Sequence, residues 1–180
     1  MATHQQNPDK LFETPRLYVR LFKEEDLENL YILDSDPEGV RSYFPGGALS
    51  KPKIQEELNK NIQEWITSGF SDFAVIEKES DKFLGRAGFA WYGDDIELGY
   101  LFLKEYWGRG YATEVARGLL EWAKNNIKAD RVIALAPENH LASQRVLEKI
   151  GMKYYKSDLY KDKHDPQCKN VICKFYEYYL

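Results

Sequence analysis

One carboxylate and a pair of glycines are the residues best placed to do chemistry. The segment Asp95 to Leu103, D-I-E-L-G-Y-L-F-L, reads as a buried strand that is apolar at nearly every position except Glu97. A carboxylate there is costly unless it is paired or neutralised. Desolvation would raise its pKa from ~4.3 toward the range useful for a general base. Two plainer readings compete: a glutamate at the exposed start of the strand, or one paired with an arginine. Asp94 and Asp95 in the preceding turn are alternative acids, or serve only to attract a cation. Downstream, Gly108 and Gly110 flank Arg109 just before a helix expected from near Ala112 to about Asn126. Its apolar residues Val115, Leu119, Trp122 and Ala123 recur at three- and four-residue steps, opposite Glu114, Arg117, Glu121 and Lys124. The first amides of a helix lack intrahelical partners and carry partial positive charge, and glycines beside them let a phosphate come close. A tight strand-to-helix turn would use the same letters. The P-loop is excluded because Tyr111 and Ala112 follow Gly110, and the dinucleotide G-x-G-x-x-G fails at Thr113.

The elements that must position these residues can be read along the chain. Residues 1–10 are polar and expected to be a loose tail; Arg16 to Phe22 alternates as a first strand with Leu17, Val19 and Leu21 on one face. Glu24 to Leu33 forms a short helix, and Ser35 to Gly47 is broken by Asp36-Pro37 and Pro45-Gly46-Gly47. Ser50 is a candidate N-cap, Pro52 falls in the first turn, and the helix buries Ile54, Leu58, Ile62, Trp65 and Ile66 before Gly69 ends it. Phe73 to Glu77, Phe83 to Tyr92 and Asp95 to Leu103 suggest an antiparallel meander. Arg131 to Ala134 is a short strand, Pro137-Glu138-Asn139 a loop, and Ser143 to Ile150 a helix capped by Gly151. Strands from Met152 to about Leu159 and from Val171 to Tyr179 complete the chain.

The 180 residues suit one domain over 1–180 with a full core, and no linker divides them. A net charge of −4 without a lysine/arginine block argues against nucleic acid and favours a cationic amine or basic peptide. Cys168 and Cys173 stand an odd number of residues apart in one strand, so they point to opposite faces and a local disulfide is not expected. His4, His140 and His164 are scattered, and no metal site is implied. The first residues lack the apolar run of a signal peptide and no stretch is long enough to span a membrane, so a cytoplasmic protein without membrane partners is expected. A monomer or a homodimer is expected, since an exposed last strand could pair between chains.

Trp107 to Glu114, W-G-R-G-Y-A-T-E, resembles the acetyl-CoA pyrophosphate loop of the GNAT N-acetyltransferases, (Gln/Arg)-x-x-Gly-x-(Gly/Ala), with Gly110 and Ala112 at its last two positions. Trp107 stands where the superfamily prefers Gln or Arg, and Y-W-G-x-G-Y-A-T-E is the form typical of the RimJ/RimL-like branch. That branch includes N-terminal acetyltransferases of ribosomal proteins and relatives acting on small amines. The resemblance runs from E-T-P-R-L at Glu13 to the last strand. It implies an α+β fold: a mixed, mostly antiparallel sheet of about seven strands flanked by helices and splayed between the fourth and fifth.

The resemblance also implies acetyl-CoA as co-substrate and direct attack by a primary amine, either a protein N-terminus or a small molecule. Gly108, Arg109, Gly110, Tyr111, Ala112 and Thr113 would hold the diphosphate, with Arg109 equally readable as a solvated charge. Leu101, Phe102 and Leu103 would meet the pantetheine arm through their backbone. Glu97 matches a position often proposed as the base. The tyrosine that many relatives use to protonate the thiolate falls, by count from Ser143, on Leu147. The branch instead resembles cases in which the serine contacts the sulfur, so Ser143 is the candidate donor, with N-capping of its helix the competing role. In the family's Asn-x-x-Ser motif the asparagine precedes the serine by three. Here Asn139 precedes Ser143 by four and His140 by three, so either one residue is inserted or His140 stands in the cofactor-contacting place; Asn139 on a bulged loop is the preferred contact. Phe44, Trp91, Tyr92, Tyr106 and Tyr160 fall near expected cleft positions. A non-catalytic acyl-CoA-binding or regulatory module on the same fold is the alternative, and a site for another phosphorylated ligand is a third.

Overall fold

A computed structural model describes residues 10–40, 48–160 and 171–180. Eight strands form one sheet in the order β1-β2-β3-β4-β5-β6-β8-β7. They are β1 (Lys10–Glu13), β2 (Leu17–Arg20), β3 (Asp72–Glu77), β4 (Phe83–Tyr92), β5 (Asp95–Phe102), β6 (Arg131–Pro137), β7 (Lys153–Leu159) and β8 (Ile172–Tyr179). Among the described residues five α-helices accompany them: α1 (Leu27–Asp34), α2 (Pro37–Val40), α3 (Lys51–Ser68), α4 (Tyr111–Asn126) and α5 (Leu141–Lys149). All neighbouring strands run antiparallel except β5 and β6, whose parallel register is the single pair Glu97–Ile133. The sheet splays there, between the fourth and fifth of the strands read from sequence.

Two-residue periodicity decides which face of β5 each side chain joins. Ile96, Leu98 and Phe102 enter the core under α4 with Val115, Leu119 and Ala123, and Tyr100 packs against its margin. Leu101 lies on the opposite face, packed with Leu30 and Leu33 of α1 and Ile54 and Leu58 of α3. A third cluster, Ile133, Cys173 and Phe175, covers that same side of the sheet beyond the splay, with Tyr92, Leu135 and Tyr160 against it. The split between β5 and β6 therefore joins two faces that continuous pairing would separate.

Several boundaries differ from the sequence reading. The sheet has an eighth strand, β1, which four residues of weak alternation concealed; it pairs antiparallel with β2. Lys10 opens this strand instead of closing a tail, and residues 1–9 lie outside those described. Ile66 is 69% exposed instead of buried, because the last turns of α3 direct Trp65 toward Phe73 and Trp122, with ring centroids 5.8 and 6.4 Å away. β6 continues to Pro137 and α5 starts at Leu141, so the expected loop shrinks and His140, not Ser143, caps the helix. The proline-glycine segment 45–47, Phe44, His4, His164 and Cys168 lie outside the described residues. Cys173 is buried; desolvation, together with the nearby Glu97 and Glu138 carboxylates, pushes its thiol up to about 11.

Candidate functional site

The loop before α4 is built by backbone that only glycine adopts without strain: Gly108 has φ +73° and Gly110 φ +81°. Gly110 is the N-cap of a sixteen-residue helix and offers no side chain, and among the described residues no side chain caps its first amides. The amides of Tyr111, Ala112 and Thr113 thus keep the unmet donors and partial positive charge of a helix start. Arg16 fastens this turn from outside. Its Nε meets Glu114 Oε2 at 2.7 Å, Nη1 donates to the Arg109 carbonyl at 3.0 Å, and the guanidinium stacks 4.3 Å from the Tyr111 ring. Glu114 also accepts from the Thr14 hydroxyl at 2.6 Å and the Arg16 amide at 2.8 Å. Burial pushes the Glu114 carboxyl upward, but these donors hold it below the usual carboxylate range.

From that helix end a cavity of about 540 Å³ runs through the splay, within the range that small-molecule sites occupy. Gly108, Gly110, Tyr111, Ala112 and Thr113 line one end. Glu97 to Phe102 line the strand side, Gly39 of α2 closes part of the far face, and His140, Ser143, Arg145 and Lys149 contribute from α5 and its cap. Among the described residues the gap leaves part of the β5 backbone edge without a strand partner. The Leu103 amide donates to the Leu84 carbonyl at 2.9 Å, so strand alternation turns Leu101 toward β4 and the backbone of Tyr100 and Phe102 toward the gap. Trp107 Nε1 already donates to the Phe102 carbonyl at 2.7 Å.

Two sets of ionisable or hydroxyl side chains occupy opposite faces of β5. Glu97 is half-buried on the side that α2 covers, and it lines the cavity. Asp95, the alternative acid, is held by Arg131 at 3.1 Å, which also meets Glu177 at 2.6 Å. On the α5 side, Tyr100 Oη lies 3.0 Å from Ser143 Oγ and 3.4 Å from the Ser143 carbonyl oxygen. Burial pushes the Tyr100 phenol up to about 12, so it stays protonated at neutral pH. The Ser143 amide donates to His140 Nδ1 at 3.2 Å, and Leu147 fills its position as a fully buried apolar residue.

The structure therefore gathers Glu97, Leu101, Phe102, Gly108, Gly110, Tyr111, Ala112, Thr113 and Ser143 around one cavity. Leu103, Arg109 and Asn139 are not on its wall. The Leu103 amide is spent on β4, the Arg109 guanidinium lies over the Tyr106 ring at 5.6 Å, and Asn139 is exposed in the turn before α5. His140 takes the wall position expected of Asn139, but its Nδ1 is engaged as the helix cap, so base chemistry there would need Nε2. Tyr106 lines the cavity, whereas Trp91 packs on Phe70 and Tyr92 on Tyr160, with centroids 5.2 and 5.8 Å apart. Sequence reasoning missed Arg16 and Tyr100; only the E-T-P-R-L and E-L-G-Y letters drew notice to either.

A family model described as an acetyltransferase (GNAT) domain matches residues 16–153. The protein YkkB of Bacillus subtilis (strain 168) is 33% identical over 149 residues, covering 80% of this chain and 86% of its own length. The crystal structure of a GNAT-family acetyltransferase from Bacillus anthracis superposes with a TM-score of 0.78 at 26% identity, over 93% of this chain and 96% of that one. RimL, the ribosomal L7/L12 alpha-N-protein acetyltransferase in complex with coenzyme A, shares the fold at a TM-score of 0.80 and 12% identity, over 95% of this chain and 98% of that one.

Proposed function

The chain belongs to the GNAT acetyltransferase family, and from that premise we propose that it moves an acetyl group from acetyl-CoA directly to a primary amine, in the manner of the RimJ/RimL-like branch. The observation that carries this reading is the uncapped start of α4 opening into a cavity that leads to Glu97 on one face and Ser143 on the other. An anionic diphosphate is the ligand that an uncapped helix start with adjoining left-handed glycines favours. The coenzyme A held by RimL on the same fold is consistent with it.

Acetyl-CoA supplies the thioester carbon that the amine nitrogen attacks. In our reading the Gly108–Thr113 turn holds the diphosphate, and the β5 edge at Tyr100 and Phe102 offers backbone partners to the arm. Glu97 takes the amine proton as the nitrogen–carbon bond forms. Ser143 donates a hydrogen bond to the sulfur that departs with the electrons of the carbon–sulfur bond, and solvent supplies its proton on release. Glu97 and Ser143 sit on opposite sides of one strand, so the two proton events need not compete for one group. The Glu97 carboxylate on the cavity wall, with a net charge of −4 for the chain, suits a cationic acceptor.

The test is a panel of peptides with free N-termini, polyamines and small amines, incubated with isotopically labelled acetyl-CoA. Mass spectrometry should find the label on at least one amine, with stoichiometric release of coenzyme A thiol. Tight coenzyme A binding with no acceptor labelled would favour a non-catalytic acyl-CoA-binding module instead.

A further inference from the structure

Ser143 can donate to a departing sulfur only if its single hydroxyl hydrogen points into the cavity, and its neighbour determines that. Tyr100 Oη is 3.0 Å from Ser143 Oγ, a good hydroxyl distance, and 3.4 Å from the Ser143 carbonyl, a poor one. Each hydroxyl has one hydrogen and can also accept. If Ser143 donated to Tyr100, the phenol hydrogen would be left with the long contact and nothing would face the sulfur. The phenol is the more acidic hydroxyl and the better donor, so the short contact is best made from Tyr100 to Ser143.

We propose that Tyr100 is a positioning residue: it donates to Ser143 Oγ and so turns the serine hydrogen toward the thioester sulfur. This inference rests on the acetyl-transfer reading above and goes beyond it in assigning the orienting group. The same serine is fixed at its backbone, where its amide donates to His140 Nδ1 at 3.2 Å, so the residue that carries the hydroxyl is anchored independently of Tyr100. Leu147 of α5 is a buried hydrocarbon, and the phenol beside Ser143 comes from β5. The titratable and charged groups that face the pair or its cavity are Tyr176 beside the phenol, His140 at the serine amide, Glu97 across the strand, and Arg145 and Lys149 of α5 on the same wall. No proton leaves Tyr100, whose hydroxyl burial keeps intact over the working pH range.

The experiment uses coenzyme A itself as probe, bound to wild type, Tyr100→Phe, Ser143→Ala and the double variant. The ultraviolet absorbance of its thiolate is followed against pH. A donor aimed at sulfur lowers the bound thiol's pKa. Tyr100→Phe and Ser143→Ala should each raise it by about one unit, a tenfold change typical of one hydrogen bond, and the double variant should match Ser143→Ala. With an acceptor present, Tyr100→Phe should cut kcat about tenfold with the KM for acetyl-CoA unchanged, since the ring and its packing remain. Thiol titration in Tyr100→Phe identical to wild type, or losses that multiply independently in the double variant, would overturn the proposal. If the thiol signature is present but no amine is acetylated, only the transfer reading falls; if wild type binds no coenzyme A, both fall.

Discussion

Gly110→Ala tests the cofactor end of the site with a magnitude that the backbone sets. Gly110 sits at φ +81° and ψ 3°, the left-handed region, at the N-cap of α4. An L-residue held there costs roughly 1–2 kcal/mol. The added methyl would lie 3.5 Å from Nη2 of Arg16, an ordinary contact, so strain and not collision is the effect. If the turn keeps its shape, the loss appears as stability, roughly 2–4 °C of Tm per kcal/mol for a chain of this size. If the turn relaxes, the Tyr111 to Thr113 amides shift and coenzyme A has to restore them, so its Kd rises about 5- to 30-fold. Thermal melts and coenzyme A titrations on the same preparations should together account for the strain. Gly69→Ala is the control: it has φ +75° at the C-cap of α3 with nothing within 4 Å of the new methyl. It should lose similar stability and leave coenzyme A binding unchanged. A Gly110→Ala protein that melts and binds like wild type would refute the reasoning, as would a Gly69→Ala protein equally weakened for coenzyme A.

Two further predictions come from ion pairs outside the cavity. Arg16→Ala removes the ties to Glu114 and the Arg109 carbonyl, so the coenzyme A Kd, read by calorimetry, should rise about tenfold while the acceptor KM stays put. Asp26 is buried and takes both Arg20 Nη atoms at 2.7 Å and the Lys23 amide at 2.9 Å. Burial pushes its carboxyl up, but these donors hold it below its ordinary value. Its stabilisation is therefore full above the unfolded value of ~3.9 and drains as pH falls through the lower folded one. Asp26→Asn should cost about 3 kcal/mol in urea unfolding at neutral pH and flatten that part of the acid limb.

What sequence could reveal depended on how local each cause was. Gly108 and Gly110 were legible because positive φ favours glycine for local steric reasons, and β5 because alternation sorts a strand's faces on its own. Glu97 stood out for the same reason, as the lone acid inside an apolar run. Tyr100 and Ser143 are 43 positions apart and Arg16 and Glu114 98 apart; no periodicity connects such pairs, which meet only once α4 and α5 dock on the sheet. The capping role of His140, which the motif spacing offers only as the alternative to Asn139, escaped because histidine is an uncommon N-cap. Ile66 was misjudged because the apolar stripe of α3 was extended one turn too far, past the point where Trp65 becomes the contact.

The central claim is that Glu97 serves as the base beside a cofactor held at the start of α4. The direct measurement is the pH–rate profile of acetyl transfer by wild type and Glu97→Gln, with coenzyme A affinity measured alongside. Coenzyme A affinity should be retained while kcat falls about 10²- to 10⁴-fold and the acidic limb of the profile disappears. A Glu97→Gln protein that transfers acetyl at the wild-type rate with an unchanged profile would contradict it.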